Sequence, residues 1–529
     1  MPVTFAEARA AGTDGELTWP ATCDTSEGTV ALPSVYAPPC VPAFAGDNGG
    51  ATARGVTADA IRIVHYTAAP EPGLADVLAE WGLADPAARR HETLARYAEL
   101  YASTAELYGR RIVVEPFAGQ AAGGDVDAAR ADAAEVVGRD PFLVVGGPAR
   151  DGGAFARALA RAHIPCVACA DGLPDEVVRE LAPYVWTLEP SPDQARAALA
   201  AWLRAAGERG TSTAGRAGGD LRGRPRRIGV VELDQAPPGS PAAEAAAADE
   251  AEAADAGEAE AGGGPAVPGA VRTEAYELDP AALPAQAEDL VARLRRDRIN
   301  TVVFLGEPVM PAHLTAAATR QGWFPEWIFA GPEPTDSTVA GRRYDPAQMA
   351  RAAGVSHRPA PTVPELQEAL RLYRWYFGRD ARPAAVHEAA RLAAAAAWLT
   401  AGVHMAGPEL TPETFARGLF RIPPRGGGPT TPRIGYGHWG GADNVDYAGV
   451  DDAAEIWWDP DVRAADELGR VGRGAWRRSK GGARFTPRAV PTPRPFTEAG
   501  TTAVVLDELP PEDRAPGYPA PRGAPARRD

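Results

Sequence analysis

From residue 61 the chain alternates short apolar runs with longer stretches whose apolar residues recur every three or four positions. The runs 61–66 (IRIVHY), 110–119, 141–148, 164–170 and 182–190 predict strands. Between them, 92–109, 125–139 and 151–163 predict helices, the first with Leu94, Tyr97, Leu100, Tyr101 and Leu107 at helical spacing. The rhythm then repeats: helix 191–207, strand 225–233, helix 284–298, strand 299–308, helix 311–322, strand 325–334. Strands apolar on both faces, alternating with helices, argue for parallel sheets covered on each side, here in two successive doubly wound units.

Where the periodicity fails, the chain changes character. Residues 1–54 hold no convincing strand or helix and are expected to form an irregular extension or spacer. Residues 207–226 and 235–270, the latter dominated by Ala, Glu, Gly and Pro, have no face to bury and are expected to be solvated, flexible insertions. Beyond 340 come a helix at 368–380, a long Ala-rich helix at about 384–405, and a short one opened by Thr411-Pro412-Glu413. A Gly- and Trp-rich segment follows, and 466–529 is expected to be an irregular Pro/Arg-rich tail. The most apolar run, 392–407, is shorter than the roughly 20 residues a membrane span needs.

Composition narrows the function. A formal net charge of −16 over 529 residues argues against a nucleic-acid partner, because phosphate binding needs a clustered basic surface. No nucleophile elbow, phosphate loop or HExxH motif is present, no cofactor is implied, and none of the 8 histidines sits in a metal-ligand array with the cysteines. The pattern favours a binder over an enzyme. The N-terminus has neither a basic start nor an apolar core, so it is no secretory signal. Cys166 and Cys169 lie in an apolar strand-like run, where alternation sends i and i+3 to opposite faces, and are expected to be buried thiols. Cys23 and Cys40 flank a Pro-rich loop, and a disulfide between them makes sense only in an oxidising compartment.

Several stretches resemble, in order, the solute-binding proteins of the branched-chain amino-acid (Leu/Ile/Val-binding) family of ABC importers. GVTADAIRIVHYT (55–67) resembles the entry into their first strand, and 97–114 their first helix and second strand. DPFLVVGGPARDGG (140–153) is similar to the third strand with its ligand loop, 183–194 to the crossover into the second lobe, and 299–333 to the late strands of that lobe. The resemblance spans roughly residues 55–460. It implies the type I periplasmic-binding fold: two Rossmann-like lobes joined by three crossovers, with irregular N- and C-terminal extensions. Lobe 1 would take 55–188 and 336–435, and lobe 2 would take 189–335 and 436–465. The stretch 23–57 resembles the N-terminal extension of actinobacterial members, often secreted lipoproteins.

The resemblance also implies a site. Ligands of open α/β sheets sit at the carboxyl ends of the strands, and the loop Gly146, Gly147, Pro148, Ala149, Arg150 is such a place. It carries none of the hydroxyls that amino-acid binders use there, whereas Arg150 could hold an anion or serve the surface. IFAGPEP matches the family's Gly-Pro-Glu, which implies that Glu333 neutralises a ligand ammonium. Ser191, Asp193, Glu307 and Tyr436 complete the candidate ligand-binding set. The expected function is extracytoplasmic capture of a small polar ligand, an amino acid or similar, for an ABC permease and ATPase. Any membrane attachment would be a lipid anchor on a start upstream of Met1. A ligand-sensing receptor on the same fold and an enzyme on Rossmann-like lobes are the alternatives.

Overall fold

In a computed structural model, residues 1–71, 73–207, 221, 224–234, 267–330, 334–437, 445–490, 505–521 and 524–525 are described. The chain opens with a helix, Phe5–Ala11, fixed by a capping box in which Thr4 and Glu7 exchange side-chain and backbone hydrogen bonds. An antiparallel pair follows, β1 (Cys23–Asp24) and β2 (Thr29–Val30), closed by a disulfide from Cys23 to Cys40.

The first apolar run becomes β3 (Ala60–Thr67), which pairs in parallel with β4 (Arg111–Ala118) on one side and β5 (Leu143–Val145) on the other. The short strands β6 (Cys166–Val167) and β7 (Val185–Trp186) complete a five-stranded parallel sheet in the order β4-β3-β5-β6-β7. Ile61 and Ile63 are buried on one face, Val64 and Tyr66 on the other. The Tyr66 hydroxyl donates to Oδ2 of buried Asp132 at 2.7 Å, and the same oxygen accepts the Gln120 and Ala121 N–H groups, so this inward-facing carboxylate is held by three hydrogen bonds.

The second sheet holds eight strands. Five are parallel, in the order β9 (Ala270–Tyr276), β8 (Ile228–Leu233), β10 (Thr301–Leu305), β11 (Glu326–Phe329) and β12 (Ala352–Ser356). Beyond β12 the sheet continues antiparallel through β13 (Ala453–Ala465) to β14 (Val471–Arg478), and β15 (Arg484–Phe485) also pairs with β13. The chain passes between the sheets three times: after β7, after β12 and before β13. On the middle passage it forms helices Glu368–Phe377, Ala389–Ala406 and Pro412–Phe420, whose apolar faces share one core with Ile61, Ile63 and Leu143 of the first sheet. No helix among the described residues is long and apolar enough to cross a membrane.

Four sequence expectations change. Residues 336–435 do not all belong with the first lobe, because β12 is built into the second sheet against β11. Its sequence, AAGVS, is too small and weakly apolar to read as a core strand, yet all five residues are buried; a side chain at Gly354 would collide with the Phe329 carbonyl. Residues 466–485 are not tail but the outer hairpin of that sheet. The N-terminal extension is largely irregular but is no spacer: Val30, Leu32, Ala37 and Val41 join the first-lobe core, and Pro39 accepts a bond from His404 at 2.9 Å. Cys166 and Cys169 form a disulfide. Strand alternation does not apply to them, because β6 ends at Val167 and Ala168 takes a φ of 59°.

Candidate functional site

The carboxyl ends of the parallel strands in both sheets open onto one cavity of about 1040 Å³, at the upper end of the ~300–1,000 Å³ usual for small-molecule sites. From the first sheet come Glu71 after β3, Arg150 after β5, Asp171 after β6 and Glu189 after β7. From the second come Glu232 at the end of β8, Glu307 after β10, Asp336 after β11, and His357 and Arg358 after β12. This is where open α/β sheets place ligands, since strand ends and helix amino termini leave backbone groups free there.

The Gly-Gly-Pro loop behaves differently from its sequence reading. Gly146 takes a φ of 83°, and a Cβ there would meet the Tyr66 carbonyl; one at Gly147 would press on the backbone of Cys169. The small residues serve loop-to-loop packing within the first sheet. Gly147 and Pro148 are not on the cavity wall, whereas Ala149 and Arg150 are. Arg150 is ion-paired with Glu71, so its charge is already compensated within the protein.

The other expected residues split in the same way. Ser191 and Gln194 form a reciprocal cap at the start of the helix Pro192–Gly207, with bonds of 3.1 and 3.2 Å, and Asp193 accepts the Asp175 N–H at 2.9 Å. Both are architectural, and neither lines the cavity. Glu307 does line it, but its carboxylate accepts the Tyr276 hydroxyl at 3.1 Å and the Met310 N–H at 2.8 Å, capping the helix that follows. Tyr436 lies off the cavity wall: its hydroxyl donates to the Thr187 carbonyl at 3.1 Å and its ring stands edge-on to Trp186 and Trp398. Burial pushes its phenol well above the usual range. Trp457 and Trp458 point to opposite faces of β13 and pack into two separate cores. Glu333 lies outside the described residues.

A cluster that the sequence reading missed sits at the ends of β11 and β12. The Asp336 side chain is 4% exposed, and neither carboxylate oxygen has a hydrogen-bond partner among the described residues; the Arg358 guanidinium lies 3.8 Å away. Arg478, from β14, lines the same region. It donates to the Pro359 carbonyl at 2.8 Å and to the Ser356 hydroxyl at 3.3 Å, and its Nε has no partner among the described residues. Burial lowers its pKa to about 10. His357 Nδ1 donates to the Asp452 carbonyl at 3.0 Å, which leaves Nε2 as a lone-pair acceptor without a partner among the described residues; burial lowers the pKa of this ring to about 4. These groups come from positions 336, 357, 358 and 478, and no local motif joins them. The one available signal was a small-residue run ending in His-Arg-Pro. Among the described residues no group of three or more His, Cys, Asp or Glu is placed to hold a metal ion.

A family model described as "Periplasmic binding protein" matches residues 92–432. No curated protein matches the chain. Among solved structures, a fatty acid ABC transporter substrate-binding protein from Thermomonospora curvata superposes with a TM-score of 0.52 at 14% identity, over 85% of this chain and 99% of its own. A solute binding protein from R. palustris in complex with 4-hydroxybenzoate gives 0.49 at 11% identity, over 81% and 97%. A branched-chain amino acid transporter substrate binding protein from Streptococcus pneumoniae, in complex with isoleucine, gives 0.47 at 11%, over 79% and 100%. At such identities the likeness is one of fold.

Proposed function

The chain belongs to the periplasmic binding protein family, whose members bind solutes rather than transform them, and on that premise we propose that it captures a small organic solute between its two lobes for an ABC importer. The observation that carries this reading is the convergence of strand-end loops from both sheets on one cavity, which lets lobe closure by hinge motion enclose a solute. Asp336, Arg358, Arg478 and His357 supply acceptors and donors that the described residues leave unmatched or only loosely matched, and these are the groups assigned to recognition.

An extracytoplasmic location is part of the proposal. All four cysteines are paired, Cys23 with Cys40 and Cys166 with Cys169, and paired cysteines persist in oxidising compartments. Thiol titration of the unreduced, denatured protein should find no free thiol.

The solute-binding reading is tested by thermal shift across amino acids, aromatic acids and aliphatic carboxylates. A ligand at a hundred times its Kd should add about 2.7 kcal/mol of stability. No stabilisation by any class, together with an unchanged solution scattering profile, would remove the proposal.

A further inference from the structure

Between β3 and the helix Ala87–Ala102 the chain does not turn back within the roughly two to six residues usual for such connections. It forms a further helix, Leu74–Trp81, whose apolar residues Leu74, Val77, Leu78 and Trp81 fall on one face of the helical repeat. The segment is rooted on the first lobe at both ends. Before the helix, Glu71 is ion-paired with Arg150; after it, Asp85 accepts the Val386 N–H at 3.3 Å and the Glu388 N–H at 2.9 Å. The helix itself lies on the second lobe. Trp81 and Leu83 are buried in one core with Val231, Tyr276 and Phe304, and Leu74, Val77 and Leu78 pack against that core. The Arg343 guanidinium stands 5.7 Å over the Trp81 ring, and Arg470 donates to the Trp81 carbonyl at 3.1 Å.

This arrangement lays the helix across the cavity. Leu74, Leu78 and Leu83 line it, as do Leu233 and Leu278 of the second lobe, whereas Asp76, Ala79 and Glu80 on the opposite face are exposed. At that point one helix, roughly 10 Å thick, separates the cavity from solvent. Little holds it down. Its eight residues are fewer than the ~12–15 at which a helix begins to stand without packing. Leu74, Val77 and Leu78 are only half-buried, which leaves Trp81 and Leu83 as the buried anchors. The pair of Glu80 with Arg343, at 3.9 Å, is exposed on both sides and contributes little. Glycines with left-handed backbone bound the helix, Gly73 at a φ of 78° and Gly82 at 80°, and no side chain caps its amino end. Segments with few buried apolar contacts open before the core does.

We propose that the helix Leu74–Trp81 is a lid over the cavity, rooted on the first lobe and latched to the second by Trp81, and that its release from the second lobe lets a solute in and out. Because roots and latch lie on different lobes, lobe separation pulls directly on the latch. The lid goes beyond the solute-binding reading, and its test needs no solute, so either can fail alone.

The test follows the labelling of one introduced thiol in the full chain. All four native cysteines are disulfide-bonded and add no background. Leu233→Cys reports from the core beneath the lid, and Val303→Cys from the opposite face of the same sheet. Iodoacetamide labelling of each is measured with and without Trp81→Ala or Val77→Asp, the second of which gives the docked face a charge that the released helix can hydrate. Either lid change should speed labelling of the Leu233→Cys thiol about 10- to 100-fold and leave the Val303→Cys thiol within about twofold. Equal acceleration at both positions, or none at Leu233→Cys, would make the helix a fixed wall and overturn the lid. Thermal melts check that the variants fold. Should they not, hydrogen exchange on the unaltered chain decides. The Gly82 and Leu83 amides, bonded to the Ala79 and Leu78 carbonyls, should exchange at least about 100-fold faster than those of Val231 and Val303. Protection equal to that of the strands would overturn the lid.

Discussion

Asp336 and Arg358 stand 3.8 Å apart at the carboxyl ends of adjacent strands, an ion pair in which the Asp336 oxygens receive no hydrogen bond from the described residues. Asp336 opposes Arg478 as well, together with Glu467. Asp336→Asn keeps the shape and removes the charge. Urea unfolding should show a loss of about 1–3 kcal/mol, moderated by the partial exposure of Arg358. Affinity for an acidic solute identified by the thermal-shift panel should rise, because Asp336 no longer opposes Arg358 and Arg478. An unchanged or weakened affinity would show that Asp336 does not face the solute.

His404 is buried with both ring nitrogens engaged: Nδ1 accepts the Glu106 N–H at 2.8 Å and Nε2 donates to the Pro39 carbonyl at 2.9 Å. Burial lowers its pKa, as it does those of His65, to about 3, and His357, to about 4. Below pH about 6.5 the unfolded chain takes up protons that these folded rings refuse, so each removes stability as pH falls, at up to ~1.4 kcal/mol per pH unit. In His404→Gln the amide can make both bonds without titrating. Its denaturation midpoints between pH 6.5 and 5 should therefore depend less steeply on pH than the wild type's.

Asp451 behaves with the opposite sign. Burial, then the neighbouring Asp446, pushes its carboxyl up to about 8, and half-exposed Arg433 at 3.8 Å does not offset this. The folded chain holds this proton after the unfolded chain has lost it, so stability drains away as pH rises from about 4 to 8. Asp451→Asn should be more stable than wild type at pH 8, on the order of 2–5 kcal/mol, with the gain vanishing near pH 4. Equal midpoints at pH 8 would place a compensating cation beside Asp451.

The Cys23–Cys40 disulfide closes the segment that supplies Val30, Leu32, Ser34, Tyr36 and Pro38 to the cavity wall. A loop of this size is worth about 3 kcal/mol in stability. Replacing both cysteines by serine should lower the melting temperature, read by calorimetry, and weaken a solute that touches this wall. An unchanged solute affinity would separate the extension from the binding site.

Tyr436→Phe removes the bond to the Thr187 carbonyl and leaves the ring packing intact. A cost of about 0.5–1.5 kcal/mol in stability, with solute affinity unchanged, is expected of a residue that packs behind the cavity.

The alternation of apolar runs with helical periods was enough to establish the parallel sheets, because a strand buried on both faces must be apolar throughout. It located β3, β4, β5, β8, β10 and β11, and the strand-end loop carrying Ala149 and Arg150. It could not place β12, whose small residues are dictated by the close approach of β11, a neighbour that local sequence does not reveal. Nor could it show that residues 30–38 and 505–513 would wall a cavity, because such burial depends on contacts several hundred residues apart. Asp336, Arg358 and Arg478 have ordinary neighbours in sequence. They meet only because the second sheet brings β11, β12 and β14 together.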